Sequence, residues 1–282
     1  MRQLGVVIAG TLLLGASVSA GGQEGWMQFR GHSAGVVADD PSLPDSWSET
    51  ENVAWVIDIP GLSWSSPVVA GDHIFVTSAV SAGDEPEPIK GLYDPGMENG
   101  SEASNNEHRW MLYDIDFESG NIRWQRELHS APPPMKRHLK NSFASETPVT
   151  DGRRVYVYFG SIGMVAAFNM SGETVWLEEI DIYNTLLEMG TAASPVLYED
   201  RLYVVNDNTT SSFMAAFDKD SGQELWRVDR DEQGQNWSTP FVWETELRTE
   251  LVTAGTQGVR SYDLDGRLLW ELHGMSGLTI PT

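Results

Sequence analysis

The chain has 282 residues, 40% of them hydrophobic, with 27 Gly, 14 Pro, 11 Trp and no Cys. That is enough for a real core in one or two domains, and the missing thiols exclude a disulfide scaffold, a thiolate metal site, covalent c-type haem, a Cys nucleophile and a lipid-anchored cysteine. Lys plus Arg total 18 against 41 Asp plus Glu, a net charge of −23, which argues against nucleic acid and anionic membrane surfaces as partners because both repel it.

Residues 1–20 read as a secretory signal. Arg2 is the only charge before Glu24, Leu4 to Leu14 are apolar or small, and Val18 and Ala20 offer the small side chains a signal peptidase reads. The apolar run is too short for a membrane span, and no later stretch approaches one. An exported protein, periplasmic or extracellular, is expected. Residues 21–50 follow as an N-terminal extended segment. ENVAWVID (51–58) then reads as a lone strand.

From there the chain repeats itself. Four segments align on a Gly-x-x-x-Trp ending: YDIDFESGNIRW (113–124), AAFNMSGETVW (166–176), AAFDKDSGQELW (215–226) and SYDLDGRLLW (261–270). A Ser/Thr-Pro element precedes each, in SSPVV (65–69), ETPVT (146–150), ASPVL (193–197) and STPFV (238–242). Between the two lie the β-rich runs HIFVTS, RVYVYF, RLYVVN and ELVTAG. Trp124, Trp176, Trp226 and Trp270 stand 52, 50 and 44 residues apart, a period that belongs to propellers and solenoids.

Each unit reads as four short strands, A to D. Pro supplies no N–H, so it suits the start of strand A. The β-branched and aromatic run is strand B. Strand C ends near Asp116, Asn169, Asp218 or Asp263, and strand D carries the Trp. In the C–D turn the Asp or Asn accepts backbone N–H bonds, and Gly120, Gly172, Gly222 or Gly266 supplies the positive φ. The Trp residues are read as packing between neighbouring sheets. Gly, Pro and Asn recur too often for helices. The expected units are blade 1 at about 62–128 with an insertion at 79–109, blade 2 at about 143–180, blade 3 at about 190–230 and blade 4 at about 236–273. Residues 274–282 would begin a further blade.

These segments resemble the quinoprotein-type β-propeller repeat, named for pyrroloquinoline quinone (PQQ), in which A-x-D-x-x-S/T-G-x-x-x-W recurs once per blade. AAFDKDSGQELW matches the full pattern, and WMQFRGHSAGVV (26–37), LPDSWSETENVAW (43–55) and GLSWSSPVVAGD (61–72) are also similar to exported PQQ-like proteins. The resemblance covers residues 26–282 and implies an all-β fold of four-stranded antiparallel blades in a ring of six to eight. The repeats here supply four complete blades, so an open arc of a seven- or eight-bladed ring, or a truncated gene product, is expected. In the family an N-terminal strand such as 51–58 completes the last blade. Closure into a four-bladed ring is the alternative.

Loops entering strand A converge on one end of the central channel. They bring Trp64, Ser65, Glu146, Met189, Thr191, Asn236 and Trp237 together, and the loops after strand B add Ser161, Asn206, Asp207, Asn208 and Gln257. Lys136, Arg137, His138 and Lys140 concentrate positive charge nearby in an otherwise acidic chain. Trp64, His138, Lys140, Glu146, Asn206, Asp207, Asn208 and Trp237 are therefore the ligand-binding candidates. Basic groups would hold carboxylates, Trp would stack and Asn would bond in plane. The competing reading pairs the basic run with neighbouring acids. The strings DIDFESG, DKDSG and DLDG lack the acidic residue a calcium loop needs at its twelfth position, and no metal site is expected.

Two functions follow from the resemblance. One is a non-catalytic exported scaffold binding a protein, peptide or glycan and needing no cofactor, as in the outer-membrane assembly factors that share the repeat. The other is a PQQ-dependent alcohol or sugar dehydrogenase, in which a quinone at the axis works with Ca²⁺ and a carboxylate base.

Overall fold

The computed structural model describes residues 25–32, 34–37, 39–85, 101–102, 104–185, 188–230 and 234–275. The expected signal at 1–20 and most of 274–282 lie outside the described residues. Among those described there is no α-helix, and no helix long and apolar enough to cross a membrane.

The fold is an all-β open arc of four blades, each an antiparallel sheet whose first strand lies innermost. Blade 1 has the strand order β1 (Gly25–Trp26), β2 (Val68–Ala70), β3 (His73–Ser81), β5 (His108–Asp116), β6 (Ile122–Ala131). A two-stranded ribbon, β4 (Ser101–Glu102) with β7 (Arg137–His138), ties the insertion to the link into blade 2. Blade 2 holds β8 (Val149–Thr150), β9 (Arg154–Phe159), β10 (Met164–Asn169) and β11 (Thr174–Glu179). Blade 3 holds β12 (Val196–Tyr198), β13 (Arg201–Asn206), β14 (Phe213–Asp218) and β15 (Glu224–Asp229). Blade 4 holds β16 (Phe241–Glu244), β17 (Thr249–Ala254), β18 (Gly258–Tyr262) and β19 (Leu268–His273).

Burial follows strand position. The second and third strands of blades 2 and 3 are buried almost throughout, as expected of strands covered on both faces. The cores lie between blades. Phe75, Leu112, Val157 and Ala166 fill the first junction. Tyr156, Val165, Leu202 and Ala215 fill the second, and Tyr203, Met214, Leu251 and Tyr262 the third.

One device recurs at each junction. The Trp of one blade lies over the C–D turn glycine of the next, and its indole N–H donates to a carbonyl of that turn. Trp124 Nε1 donates to Met170 O at 2.9 Å, Trp176 to Lys219 O at 2.9 Å and Trp226 to Leu264 O at 3.0 Å. The glycines therefore do more than turn the chain: a Cβ at Gly172 or Gly222 would stand 2.7 Å from the indole above it. Arginines at the start of strand B cross in the same direction, Arg154 to Asp220 and Arg201 to Asp265.

The Ser/Thr-Pro elements form a second ladder near the axis. Ser66 N donates to Thr147 Oγ1 at 3.0 Å, Thr147 N to Ser194 Oγ at 2.9 Å, and Ser194 N to Thr239 Oγ1 at 3.0 Å. Pro directly precedes β2, β8, β12 and β16, and in blades 2 to 4 the hydroxyl before it latches the blade to its predecessor.

The N-terminal part departs from expectation in three places. The lone strand expected at 51–58 is not one. It makes a single bridge, Ser48 to Glu51, and otherwise runs without a ladder because no neighbouring strand edge reaches it. Its Trp55 nevertheless repeats the junction device, donating to Phe117 O at 3.0 Å over Gly120 and closing the outer face of blade 1. Gly25–Trp26, expected to be outside the sheets, adds a fifth strand to the inner edge of blade 1. The insertion also starts later and ends earlier than its expected bounds, because β3 runs to Ser81 and β5 begins at His108.

The far end is different again. Among the described residues no blade follows Trp270, and its Nε1 donates within its own sheet to Glu250 Oε2 at 2.7 Å. Glu250 occupies the place of Arg154 and Arg201, so the crossing arginine is replaced by an acid that turns inward. Trp243 and Leu272 stand 45% and 61% exposed on blade 4, which leaves an apolar sheet face open.

Candidate functional site

The loops entering the inner strands and leaving the second strands do meet at one end of the arc. Glu146, in the turn before β8, is buried. Its Oε1 accepts the Gly160 N–H at 3.2 Å, while Oε2 has no hydrogen-bond partner among the described residues. Burial pushes its carboxyl up to about 7. Nearby Tyr158 Oη accepts from Asn206 Nδ2 at 2.8 Å, and burial raises the phenol well above its ordinary value.

The loop after β13 is held by Asn208. Its Nδ2 donates to Asn206 Oδ1 at 3.0 Å, and its Oδ1 accepts Thr210 and Ser211 N–H at 2.8 and 2.7 Å. Asp207 receives both arms of Arg230, Nε and Nη2, each at 2.9 Å. Burial pushes the Asp207 carboxyl up, and the guanidinium opposes that shift. Trp237 is half-buried, with Nε1 donating to Gly190 O at 2.8 Å. Tyr158, Asn206, Asp207 and Trp237 border a cavity of about 10 Å³, room for one water.

The other candidates stand apart from that cavity. Trp64 is 59% exposed, its backbone N–H on Ala144 O at 3.2 Å. His138 is buried in the β4–β7 ribbon, where its Nδ1 accepts the Lys140 N–H at 3.1 Å; the Lys140 side chain is exposed. The basic run is engaged with acids: Lys136 meets Glu188 at 2.8 Å, and Arg137 meets Glu85 of the insertion. The same Glu85 lies 2.9 Å from the buried His108, pinning the insertion to blade 1.

At this end of the arc the described residues leave no room for PQQ with calcium. A flat tricarboxylate needs space and cations, and the end of the arc offers a water-sized hole whose Arg230 is spent on Asp207. Both Asp207 oxygens are taken, which removes it as a calcium ligand. Asp116 and Asp218 are also closed on their own turns, through Ser119 and Ser221; those hydrogen bonds, with Arg123, hold Asp116 down at about 2.

Glu146 carries a pH dependence. Its carboxyl is neutral when buried and ionises at about 7, against 4.5 for the exposed chain. Its stabilisation is therefore complete below 4.5 and fades as pH rises through 7, a total of about 3 kcal/mol. In thermal scans from pH 4.5 to 8, Glu146→Gln is expected to gain on the parent as pH rises. Parallel curves for the two proteins would refute it.

A larger concavity, about 520 Å³, was not foreseen. It lies against the innermost strands of blades 2 to 4, with residues from 25–32 and Ala34 across it, and Met27, Phe29, Arg30, Tyr198, Phe241 and Glu244 among its lining. No periodicity marks Gly25–Trp26 as a strand, so nothing in the sequence announces a segment that spans the inner face.

Antiparallel blades joined by Trp-over-Gly contacts define a β-propeller repeat protein in open-arc form. The family model described as outer membrane protein assembly factor BamB, a PQQ-like repeat, matches residues 16–186 and 161–280, and the chain belongs to that family. A search of curated proteins finds no match. Similar solved structures include BamB from Moraxella catarrhalis, at 19% identity and TM-score 0.42 over 62% of this chain and 51% of that one. A quinohemoprotein alcohol dehydrogenase from Pseudomonas putida HK5 gives 12% identity and TM-score 0.49 over 79% and 35%. A europium-containing methanol dehydrogenase gives 15% and 0.45 over 76% and 51%. The chain thus spans about half or less of the length of each.

Proposed function

We propose that this chain is an exported, non-catalytic binding scaffold that engages a protein or peptide partner through its blades and loops. The observation that carries the reading is the commitment of Tyr158, Asn206, Asp207 and Asn208 to one another and to Arg230, which leaves only a water-sized hole among these polar groups. Membership of a family described by an assembly factor supports it, and the charge of −23 favours partners other than nucleic acid. The secretory character of residues 1–20 supports export.

The alternative, a PQQ-dependent dehydrogenase acting on an alcohol or sugar, is separated by one experiment. The protein is incubated with PQQ and Ca²⁺, desalted, and assayed for quinone absorbance and for dye reduction with alcohols and sugars. No retained quinone and no dye reduction are expected. Retained quinone with turnover would overturn the scaffold reading.

A further inference from the structure

The inner edges of the four blades differ in what covers them. On blade 1 the edge of β2 carries β1, paired antiparallel as Gly25 with Ala70 and Trp26 with Val69. On blade 2 the Thr150 N–H, on the edge of β8, donates to Met27 O at 2.9 Å. The N-terminal segment thus serves as an added innermost strand at one edge and a hydrogen-bond partner at the next. Beyond Met27, β12 and β16 are edge strands.

Hairpin geometry fixes which groups of β16 are free. Thr245 N donates to Arg248 O at 3.1 Å, closing the turn to β17. Alternation then assigns ladder bonds to the pairs Trp243–Glu250 and Phe241–Val252, so the peptide groups of Val242 and Glu244 point to the open edge. The same alternation, from Asp151 N on Arg154 O at 3.3 Å, places the Thr150 N–H on the edge of β8, where Met27 takes it.

The 520 Å³ concavity lies alongside this edge. Phe29, Tyr198 and Phe241 supply apolar surface. Lys219, from the β14–β15 turn of blade 3, is turned toward blade 2, with Nζ 3.4 Å from Asp151 Oδ2. The ionisable residues that the innermost hairpins of blades 3 and 4 add to the lining are Glu199 and Glu244, the latter accepting Tyr198 Oη at 2.9 Å. Backbone edge, apolar hollow and acidic rim are the three parts of a strand-addition site.

We propose that the inner edge of β16 accepts an extended peptide segment of a partner protein as an additional innermost strand. An apolar or aromatic side chain enters the hollow beside Phe29 and Val242, and a Lys or Arg further along the same face of the added strand meets Glu199 and Glu244. The inference rests on the scaffold reading and specifies its ligand: a strand of the same chemistry as this chain's own residues 25–32, with alternating bulk and a basic side chain.

The test uses a fluorescein-labelled peptide copying residues 24–32 (EGWMQFRGH), titrated into the full chain and read by anisotropy. Saturable binding is expected. Methylating alternate backbone amides of the peptide should weaken it about tenfold or more, because strand pairing needs those donors. Val242→Pro should weaken binding by about the same factor, since it deletes an edge N–H without removing a ladder bond to β17. Glu199→Gln with Glu244→Gln should weaken it about threefold and flatten its salt dependence. The methylated peptide on the parent protein reads the same contact if Val242→Pro disturbs folding.

No binding up to about 1 mM peptide, weaker than a specific strand addition, would overturn the inference. So would equal binding of the methylated and plain peptides, or self-association of the protein that the peptide does not compete. Each of these leaves the quinone assay untouched, so failure here is distinct from failure of the scaffold reading.

Discussion

Arg230→Ala is expected to lower the unfolding free energy by about 3–5 kcal/mol, the usual cost of stranding one partner of a buried ion pair. Arg230 follows β15 and is 1% exposed. Besides both Asp207 oxygens it donates Nη1 to Thr253 Oγ1 at 2.8 Å and to Tyr262 Oη at 2.9 Å, so one guanidinium staples blade 3 to blade 4. Alanine leaves the Asp207 carboxylate buried without a counter-charge and opens a cavity beneath Tyr262. Arg230→Lys should recover little, because one ammonium cannot span two carboxylate oxygens and two hydroxyls in fixed directions. Asp207→Asn combined with Arg230→Met should recover most of the loss by removing both charges while keeping volume. Urea unfolding followed by circular dichroism measures all three. A loss below about 1 kcal/mol for Arg230→Ala, the level of an exposed pair, would refute the buried staple.

The blade register was legible in the chain because two local signals keep step. Gly-x-x-x-Trp ends each hairpin, and Ser/Thr-Pro opens each sheet. Their spacing placed the four sheets with no long-range information. The partners of those residues were not legible. Trp176 packs on Gly222, not on the Gly172 four residues before it, and only the stacking of successive blades reveals this. Thr147 and Ser194 looked like punctuation before proline, yet their hydroxyls join neighbouring blades.

Residues 51–58 and 25–26 show the converse. V-A-W-V-I-D has the composition of a strand but meets no edge, whereas Gly25–Trp26 has no pattern and finds one. Pairing is a property of the neighbour as much as of the segment. The basic run at 136–140 read either as an anion site or as partners for neighbouring acids, because sequence shows charge without direction. The fold turns Arg137 to Glu85, an acid 52 residues earlier in the insertion. Glu250 is the most informative missed residue. Aligned with Arg154 and Arg201 it breaks the repeat, and the break falls at the repeat Trp whose indole N–H returns to its own blade.

Gly222→Ala is expected to cost about 2–5 kcal/mol, summed from a left-handed backbone and an overpacked contact. Gly222 sits at φ +78°, where an L side chain is strained. An added Cβ would also stand 2.7 Å from Cδ2 and Cε3 of Trp176. That indole cannot withdraw, because its N–H is held by Lys219 O at 2.9 Å and its ring lies tilted against Tyr156 at 6.1 Å. Gly152→Ala separates the two contributions. Gly152 has φ +76°, but the nearest atom to its Cβ would be Met27 Cε at 3.7 Å, an ordinary contact. It should therefore cost only the backbone share, about 1–2 kcal/mol. Trp176→Leu in the Gly222→Ala background should show favourable coupling, since the smaller side chain makes room for the methyl group although it is destabilising alone. Equal unfolding midpoints for Gly222→Ala and Gly152→Ala would mean that the indole does not press on the turn, and the junction device would reduce to a hairpin glycine chosen for φ alone.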